Sequence, residues 1–556
     1  MDIDGRHLGA WLPCNVSHDP HAPAPTPTPA TAPLVDLGGR SPWSILPALC
    51  LGFFVIMVDT TIVNIAVPTL QTAFGATLTT VGWVNSAYLL SFAVLLLVTG
   101  RLGDRFGPRP VFVWGLVVFT LSSLACGLSG LAGSVELLVA ARAVQGIGAA
   151  LMTPQTMSMI TRVFPRERRG AAMGVWGSVA GLATIAGPLL GGLFVETIGW
   201  EWIFYVNVPV GIVALVLAVR TLPTLPTHSR SFDMVGVVLS VVGLFLLVFG
   251  IQEGQSFGWG RVVGPVTVWW MLGAGAVITA VFLAWQKRRG ADALLPLTLF
   301  THRTFALANV GGAVASFAMI GIFFPLTLFL QQVLGLSALH AALVNLPGSL
   351  LSGIVAPFAG RLADRVPGKW VVTAGFGFLA TSVAWVALVV EPGISVWHVY
   401  PPMALFGVGT GMLFSPLAAL ATSGLAPATA GAGAGAFTMN RQVGGVIGSA
   451  VIVATLTARI AVEIPAALAR ASERLPDDVR EVVVSLAPSL SSGLGAAGAF
   501  DVPAGVPADI AAQVREVALG AVHAGFATAV GQTMLLAAGV LTVGLVAALA
   551  MEKNPH

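Results

Sequence analysis

Gly100-Arg-Leu-Gly-Asp-Arg-Phe-Gly-Pro-Arg109 returns 260 residues further on as Gly360-Arg-Leu-Ala-Asp-Arg-Val-Pro-Gly-Lys369. Each copy follows the second of a series of long apolar runs, so the chain reads as two related halves. Working outward from the two copies, a ruler of roughly 20 apolar residues per membrane crossing marks fourteen spans. They lie at about 45–70, 79–99, 110–130, 134–161, 171–195, 202–220, 234–251, 265–286, 304–330, 339–359, 370–390, 398–423, 433–457 and 527–550. Spans 1–6 and 9–14 are the repeated halves, with spans 7 and 8 inserted between them. Parallel six-helix repeats related about the membrane normal are a transporter architecture. The expected fold is an all-α polytopic membrane protein: one six-helix bundle (45–220), two inserted transmembrane helices with linkers (221–303) and a second six-helix bundle (304–550). A disordered tail (1–44) precedes them and a short tail (551–556) follows.

Composition removes the competing classes. Of 556 residues 56% are hydrophobic and only 9% charged, where a soluble domain carries about 25% charged residues; the mean hydropathy is +0.88. A soluble enzyme or a disordered scaffold is excluded. A net charge of +3 with no basic stripe argues against a nucleic-acid partner. Two of the three cysteines lie inside apolar runs, so no disulfide framework is expected. Residues 1–40 hold no apolar core of a cleavable signal peptide. Fourteen spans put both termini on one side, and nineteen of the 27 basic residues fall on that side. By the positive-inside rule both termini are expected in the cytoplasm, at the cell membrane. Five of the remaining basic residues sit in 458–526, which reads as a long extracytoplasmic loop. Its stretch from Leu475 to Leu486 has the mixture of a short amphipathic helix.

Few polar groups lie inside the spans, and they carry the chemistry. Asp59 falls near mid-membrane in span 1, where a carboxylate costs roughly 2.5–3.5 kcal/mol. Arg142 in span 4 lies at a depth within one helical turn of it, counting roughly 1.5 Å per residue, so the two can pair if the helices are neighbours. The competing reading is a fixed structural ion pair. Gln145 shares a face with Arg142. Thr60, Asn64, Asn440 and Arg441 are candidate cavity groups that could equally bond neighbouring helices or, for Arg441, snorkel to the interface. In span 5, Gly177 with Gly181 and Gly187 with Gly191 let backbones approach, and Pro188 favours a kink.

Five strings together resemble the fourteen-helix drug:proton antiporter branch of the major facilitator superfamily. They are Asp59–Pro68, the loop Gly100–Arg109, Arg142–Gly148, Gly187-Pro-Leu-Leu-Gly-Gly192 and Asn440–Gly445. The resemblance implies alternating access, and the expected proton coupling lies in the pair Asp59 and Arg142, with one proton per cycle passing through Asp59. It implies a cytoplasmic latch in Gly100, Gly103, Asp104, Arg105, Gly107 and Arg109. It also implies an antiporter motif of Gly187, Pro188, Gly191 and Gly192 that seals against a helix of the other half. The second copy of the loop departs from the pattern, with Pro367 before Gly368, which argues against a latch there.

No phosphate-cradling glycine loop and no cluster with metal-ligand spacing is present, so no cofactor is expected beyond a proton gradient. The expected activity is export of hydrophobic or cationic small molecules by a monomeric proton antiporter in the bilayer. A dedicated exporter of one endogenous metabolite or lipid is the alternative. A membrane-embedded lipid-modifying enzyme would need paired acid and base groups at an interface, and none is found.

Overall fold

Apolar runs of this length satisfy their backbone groups away from water by coiling into α-helices. A computed structural model of the chain describes residues 39–227, 233–426, 429–473, 480 and 508–552. Fourteen of its helices are long and apolar enough to cross a membrane, and the chain is a multi-pass membrane protein. The first bundle comprises α1 (Leu46–Phe74), α2 (Leu78–Phe106), α3 (Pro108–Ala132), α4 (Val135–Val163), α5 (Arg166–Thr197) and α6 (Asn207–Thr221, after a single turn at Trp202–Tyr205). The inserted pair is α7 (Met234–Gln252) and α8 (Val268–Arg289), joined through a small hairpin of Arg261–Val263 and Val266–Thr267. The second bundle comprises α9 (Arg303–Gln332), α10 (Leu346–Arg365, after a short turn at Ala338–Val344), α11 (Gly368–Val389), α12 (Tyr400–Ser423), α13 (Ala430–Ser472) and α14 (Ala508–Leu549). The described chain starts and finishes at one end of the bundle, called here the terminal end; the opposite end is the distal end.

Local chemistry sets the helix limits. Thr77, Ser134 and Thr267 accept backbone N–H groups at the starts of α2, α4 and α8. Gly107, at φ 92°, separates α2 from α3, and Pro108 follows at the first helical position. Within the first bundle α4 packs on α2 and α3, and α1 on α5; in the second, α9 and α13 pack together and with α14, and α12 bridges α10 and α11. The halves meet along two seams, α5 against α10 and α2 against α13.

The inserted helices lie beside the second seam. Phe249 of α7 and Met271 of α8 share a buried cluster with Leu90 and Val94 of α2. Asp233 ties their terminal ends together. Its carboxylate accepts from Gly236 N and Trp285 Nε1 through one oxygen and from Gln286 Nε2 through the other, each at 2.9 Å. Arg289 stands 4.0 Å away. Burial pushes this carboxyl up, but the three donors and the guanidinium outweigh it and hold it below its ordinary value of 3.8. A depressed carboxyl stabilises the fold above the unfolded value and loses that contribution as pH falls through the folded one. Amide-exchange protection at the terminal ends of α7 and α8 is therefore expected to hold from neutral pH to about 4 and to fall below it. In Asp233→Asn it is expected to be weak at every pH.

The distal segment corrects the sequence reading. Residues 458–526 are not a continuous loop: α13 runs on to Ser472 and α14 begins at Ala508. Leu456, Ile460, Ile464 and Leu468 are buried at four-residue spacing, in one core with Val514, Ala518, Val522 and Phe526. A Cβ at Gly525 would stand 2.7 Å from Ile464 Cα, so the two helices touch there. Arg459 reaches both Glu463, at 2.7 Å, and Gln532. Hydropathy falls in this stretch because charged residues interrupt it, while the apolar helical stripe continues. The predicted amphipathic helix at 475–486 lies outside the described residues, Arg480 apart, and so does most of the predicted tail 1–44.

Candidate functional site

Asp59 sits halfway along α1 and is wholly enclosed, with 0% of its surface exposed. Arg142 of α4, equally buried, donates from Nη1 to Asp59 Oδ2 at 2.5 Å. Gln145 Nε2 and Asn207 Nδ2 both donate to Asp59 Oδ1, at 2.9 and 3.0 Å. The arginine is held on its other sides: Nε donates to Val84 O of α2 at 2.9 Å, Nη1 also reaches Gln145 Oε1 at 2.8 Å, and the guanidinium lies 4.2 Å from the Tyr88 ring centroid. Asn207 passes the chain of bonds to Ser123 Oγ at 3.1 Å. Four helices thus build the cage: the carboxylate comes from α1, its donors from α4 and α6, and α2 holds the arginine from behind. A carboxylate and a guanidinium are costly to bury unless paired and saturated with hydrogen bonds, and Asp59 is so saturated. Arg142 Nη2 and the neighbouring Tyr88 hydroxyl have no hydrogen-bond partner among the described residues.

Asn207 and Ser123 were missed in the sequence. Both are neutral polar residues in apolar spans, a common occurrence, and only their position opposite Asp59 marks them.

At the terminal end the two copies of the repeated loop perform the same operation. Asp104 accepts from Gly431 N and Ala432 N, both at 2.9 Å, which are free N–H groups in the first turn of α13. Asp364 accepts from Gly170 N and Ala171 N, both at 2.8 Å, near the start of α5. Each carboxylate comes from one half and caps a helix of the other, where the helix dipole favours negative charge. The expectation that the second copy would not latch is therefore corrected. The Pro367-Gly368 change falls beyond Asp364 and only starts α11, leaving the capping aspartate in place.

Glycines permit this approach. A Cβ at Gly100 would stand 2.5 Å from Gly431 O, and one at Gly360 would run into the Gly170 carbonyl. Gly103 is covered by the side chain of Gln155, whose Nε2 holds Thr99 O at 2.7 Å. Two arginines of the first loop do other work: Arg105 is exposed and lies over Phe106, and Arg109 Nη2 caps α6 by donating to Val219 O at 2.7 Å. Among the described residues, glycine contacts across the α5 seam run from Gly170 to Gly181 and those across the α2–α13 seam involve Gly100, Gly431 and Gly435. Both seams are shut at the terminal end.

The comparisons with known proteins fit this geometry. The family described as Major Facilitator Superfamily matches residues 49–449. The chain belongs to the Major Facilitator Superfamily. An uncharacterised MFS-type transporter of Mycobacterium tuberculosis is 43% identical over 92% of this chain and 81% of its own length. The tetracenomycin C resistance and export protein of Streptomyces glaucescens is 34% identical, over 76% of this chain and 77% of its own. Among solved structures, the human organic anion transporter MFSD10 superposes with a TM-score of 0.54 at 14% identity, over 90% of this chain and 100% of that one; this likeness concerns the fold alone. As a superfamily member the chain is a transporter and not an enzyme.

Within this superfamily fold the Gly187–Gly192 string does not seal against the other half in the conformation observed. Gly187 lies on Thr61 of α1, and a Cβ at Gly191 would stand 3.0 Å from Ile62 of the same helix. The helix α5, with Pro188 inside it, faces α10 through Gly170–Gly181 and α1 thereafter. Gly192 has open space around its Cα. Gly187→Val is expected to wedge α5 off α1 one turn from Asp59, costing about 1–3 kcal/mol by overpacking and most of the transport. Gly192→Ala is expected to change either by less than about twofold, in keeping with its open surroundings. Thermal melts and efflux rates of the two variants check this.

The other candidates are dispersed. Thr60 Oγ1 returns to Met57 O at 2.8 Å, and exposed Asn64 bonds Thr60 O and, at 3.3 Å, Asn85 of α2. Asn440 Nδ2 donates to Asn309 O of α9 at 2.7 Å. Arg441 lies over the ring of Phe414 in α12.

Proposed function

We propose that this transporter exports hydrophobic small molecules, antibiotics among them, across the cell membrane in exchange for protons. It works as a monomer without a cofactor, and its terminal end lies in the cytoplasm. The conformation observed is then the outward-facing one, its cytoplasmic side held shut by Asp104 and Asp364. The observation that carries the reading is the enclosed Asp59–Arg142 pair, a carboxylate whose four-element cage can change when the halves rock. A proton taken up from outside would discharge Asp59, loosen its hold on Arg142 and Asn207, and favour the rearrangement that opens the other side. Relatives named for antibiotic resistance and export, for tetracenomycin C, methylenomycin A and cephamycin among others, support the direction.

The test is efflux of ethidium from cells expressing the chain, followed with and without an uncoupler. Uncoupler-sensitive efflux is expected; efflux that persists after the gradient is collapsed would remove the antiport reading. Single cysteines at Ser41 and Glu552, expected to react with a membrane-impermeant maleimide only in everted vesicles, test the orientation.

A further inference from the structure

Arg441 has no counter-charge. It stands eleven residues from the start of α13, about 16 Å along the helix, at a depth where ionised side chains persist only with partners or beside a wet, functional cavity. Among the described residues it makes neither an ion pair nor a hydrogen bond; its contact is Phe414, whose ring centroid lies 5.6 Å from the guanidinium carbon. The side chain is partly exposed.

The face on which it lies is fixed by a neighbour. Thr438, three residues earlier and hence on the same side of the helix, meets Met157 of the first half, with Oγ1 3.7 Å from Sδ. That contact belongs to the closed cytoplasmic side. Arg441 follows one turn outward on the face that looks toward the first half, and among the described residues no side chain of that half bonds or pairs with it. The Phe414 ring and the Thr438 contact favour an inward-facing position over snorkelling to the lipid interface. In the residue after Phe414, where Gly177 of α5 meets Ser415 of α12, Ser415 Oγ is buried without a hydrogen-bond partner among the described residues, as is Nε1 of Trp176, the residue before Gly177. On the faces of α12 and α13 turned toward the first half there is thus a cation beside an aromatic ring, and whereas the enclosed Asp59 and Arg142 neutralise each other, Arg441 has no such partner among the described residues.

A planar guanidinium with its fork free matches a carboxylate in two parallel hydrogen bonds. We propose that Arg441 is the receptor for an acidic group on the exported molecule, a carboxylate carried on an aromatic body that lies along Phe414. This deepens the export reading and rests on it: the preferred substrates are organic acids rather than cations.

The test is equilibrium binding to the purified full chain in nanodiscs, using 2-naphthoate and its neutral isostere 2-naphthamide. The wild type is expected to bind the acid at least about tenfold more tightly, the scale of one charge-assisted hydrogen bond over a neutral one. Arg441→Gln is expected to bring the ratio to within about twofold of one. Arg441→Lys keeps the charge but loses the fork, and is expected to lower the ratio at least about threefold; it decides the matter alone if the glutamine variant does not fold. A wild-type ratio near one, a ratio that survives Arg441→Gln, or one unchanged in Arg441→Lys would overturn the assignment. Driven transport is read separately in everted vesicles. An intact tenfold ratio without pH-driven naphthoate movement would fell the antiport reading and leave the acid site standing, and driven movement without the ratio would do the reverse.

Discussion

Asp59→Asn is expected to abolish proton-driven efflux and to destabilise the protein by about 3–5 kcal/mol, because it strands a buried guanidinium. The asparagine amide would also face the amide donors of Gln145 and Asn207, both now aimed at Asp59 Oδ1. Arg142→Met is expected to be milder for the fold. An aspartate left alone can discharge itself by taking up a proton, whereas an arginine keeps its charge at any accessible pH. The double variant Asp59→Asn/Arg142→Met is expected to recover most of the lost stability while remaining uncoupled, since no buried charge is left unpaired. Thermal melts in detergent read the first quantity, and substrate-dependent proton flux in proteoliposomes the second. A double variant as unstable as Asp59→Asn, or proton flux persisting in Asp59→Asn, would disprove the assignment.

The second large effect is expected at the latches. Asp104 and Asp364 each satisfy two backbone N–H groups across a seam, and a hydrogen bond to a charged acceptor is worth roughly 1.5–3 kcal/mol. Water replaces part of this when the seam opens, so each aspartate is expected to hold the closed state by about 1.5 kcal/mol, tenfold in population. Asp104→Ala and Asp364→Ala act on separate seams and are expected to add, giving about a hundredfold shift toward the state open at the terminal end in the double variant. Spin labels at the terminal ends of α2 and α13 would report it as a long-distance population absent from the wild type. An effect confined to Asp104→Ala would show that the second copy is ornamental.

If the carried molecule is an acid, energetics change in its favour. One proton moving across about 100 mV and one pH unit yields roughly 3.7 kcal/mol, a few hundredfold for a neutral substrate. A departing monoanion adds a second charge movement of the same sign, roughly 2.3 kcal/mol more, and raises the limit to about ten-thousandfold. A departing monocation cancels the voltage term and leaves about tenfold.

Much of this was legible without coordinates. The fourteen helices and the two halves follow from apolar run length and from the repeated loop, because a membrane leaves the backbone few choices. The depths of Asp59 and Arg142 could be matched by counting residues, though their contact could not. Asn207 could not be found, since a neutral amide in an apolar span costs too little to be diagnostic. The second latch was misread by weighing Pro367 and Gly368, which start α11, above Asp364, whose partners Gly170 and Ala171 lie in the other half and are remote in sequence. The far end of α13 was hidden by Arg459, Glu463 and Arg470, and the start of α14 by Arg515 and Glu516, which depress hydropathy without disturbing the buried four-residue stripe.

That length has a mechanical consequence. α13 carries the Asp104 catch in its first turn and continues unbroken for 43 residues, about 65 Å, some twice the hydrocarbon thickness of about 30 Å. Each degree of tilt at its foot sweeps the far tip through about 1 Å. A fluorophore pair placed between that tip and the distal end of α5 would act as a pointer, magnifying ångström-scale unlatching at the terminal end into a displacement readable on the opposite side of the membrane.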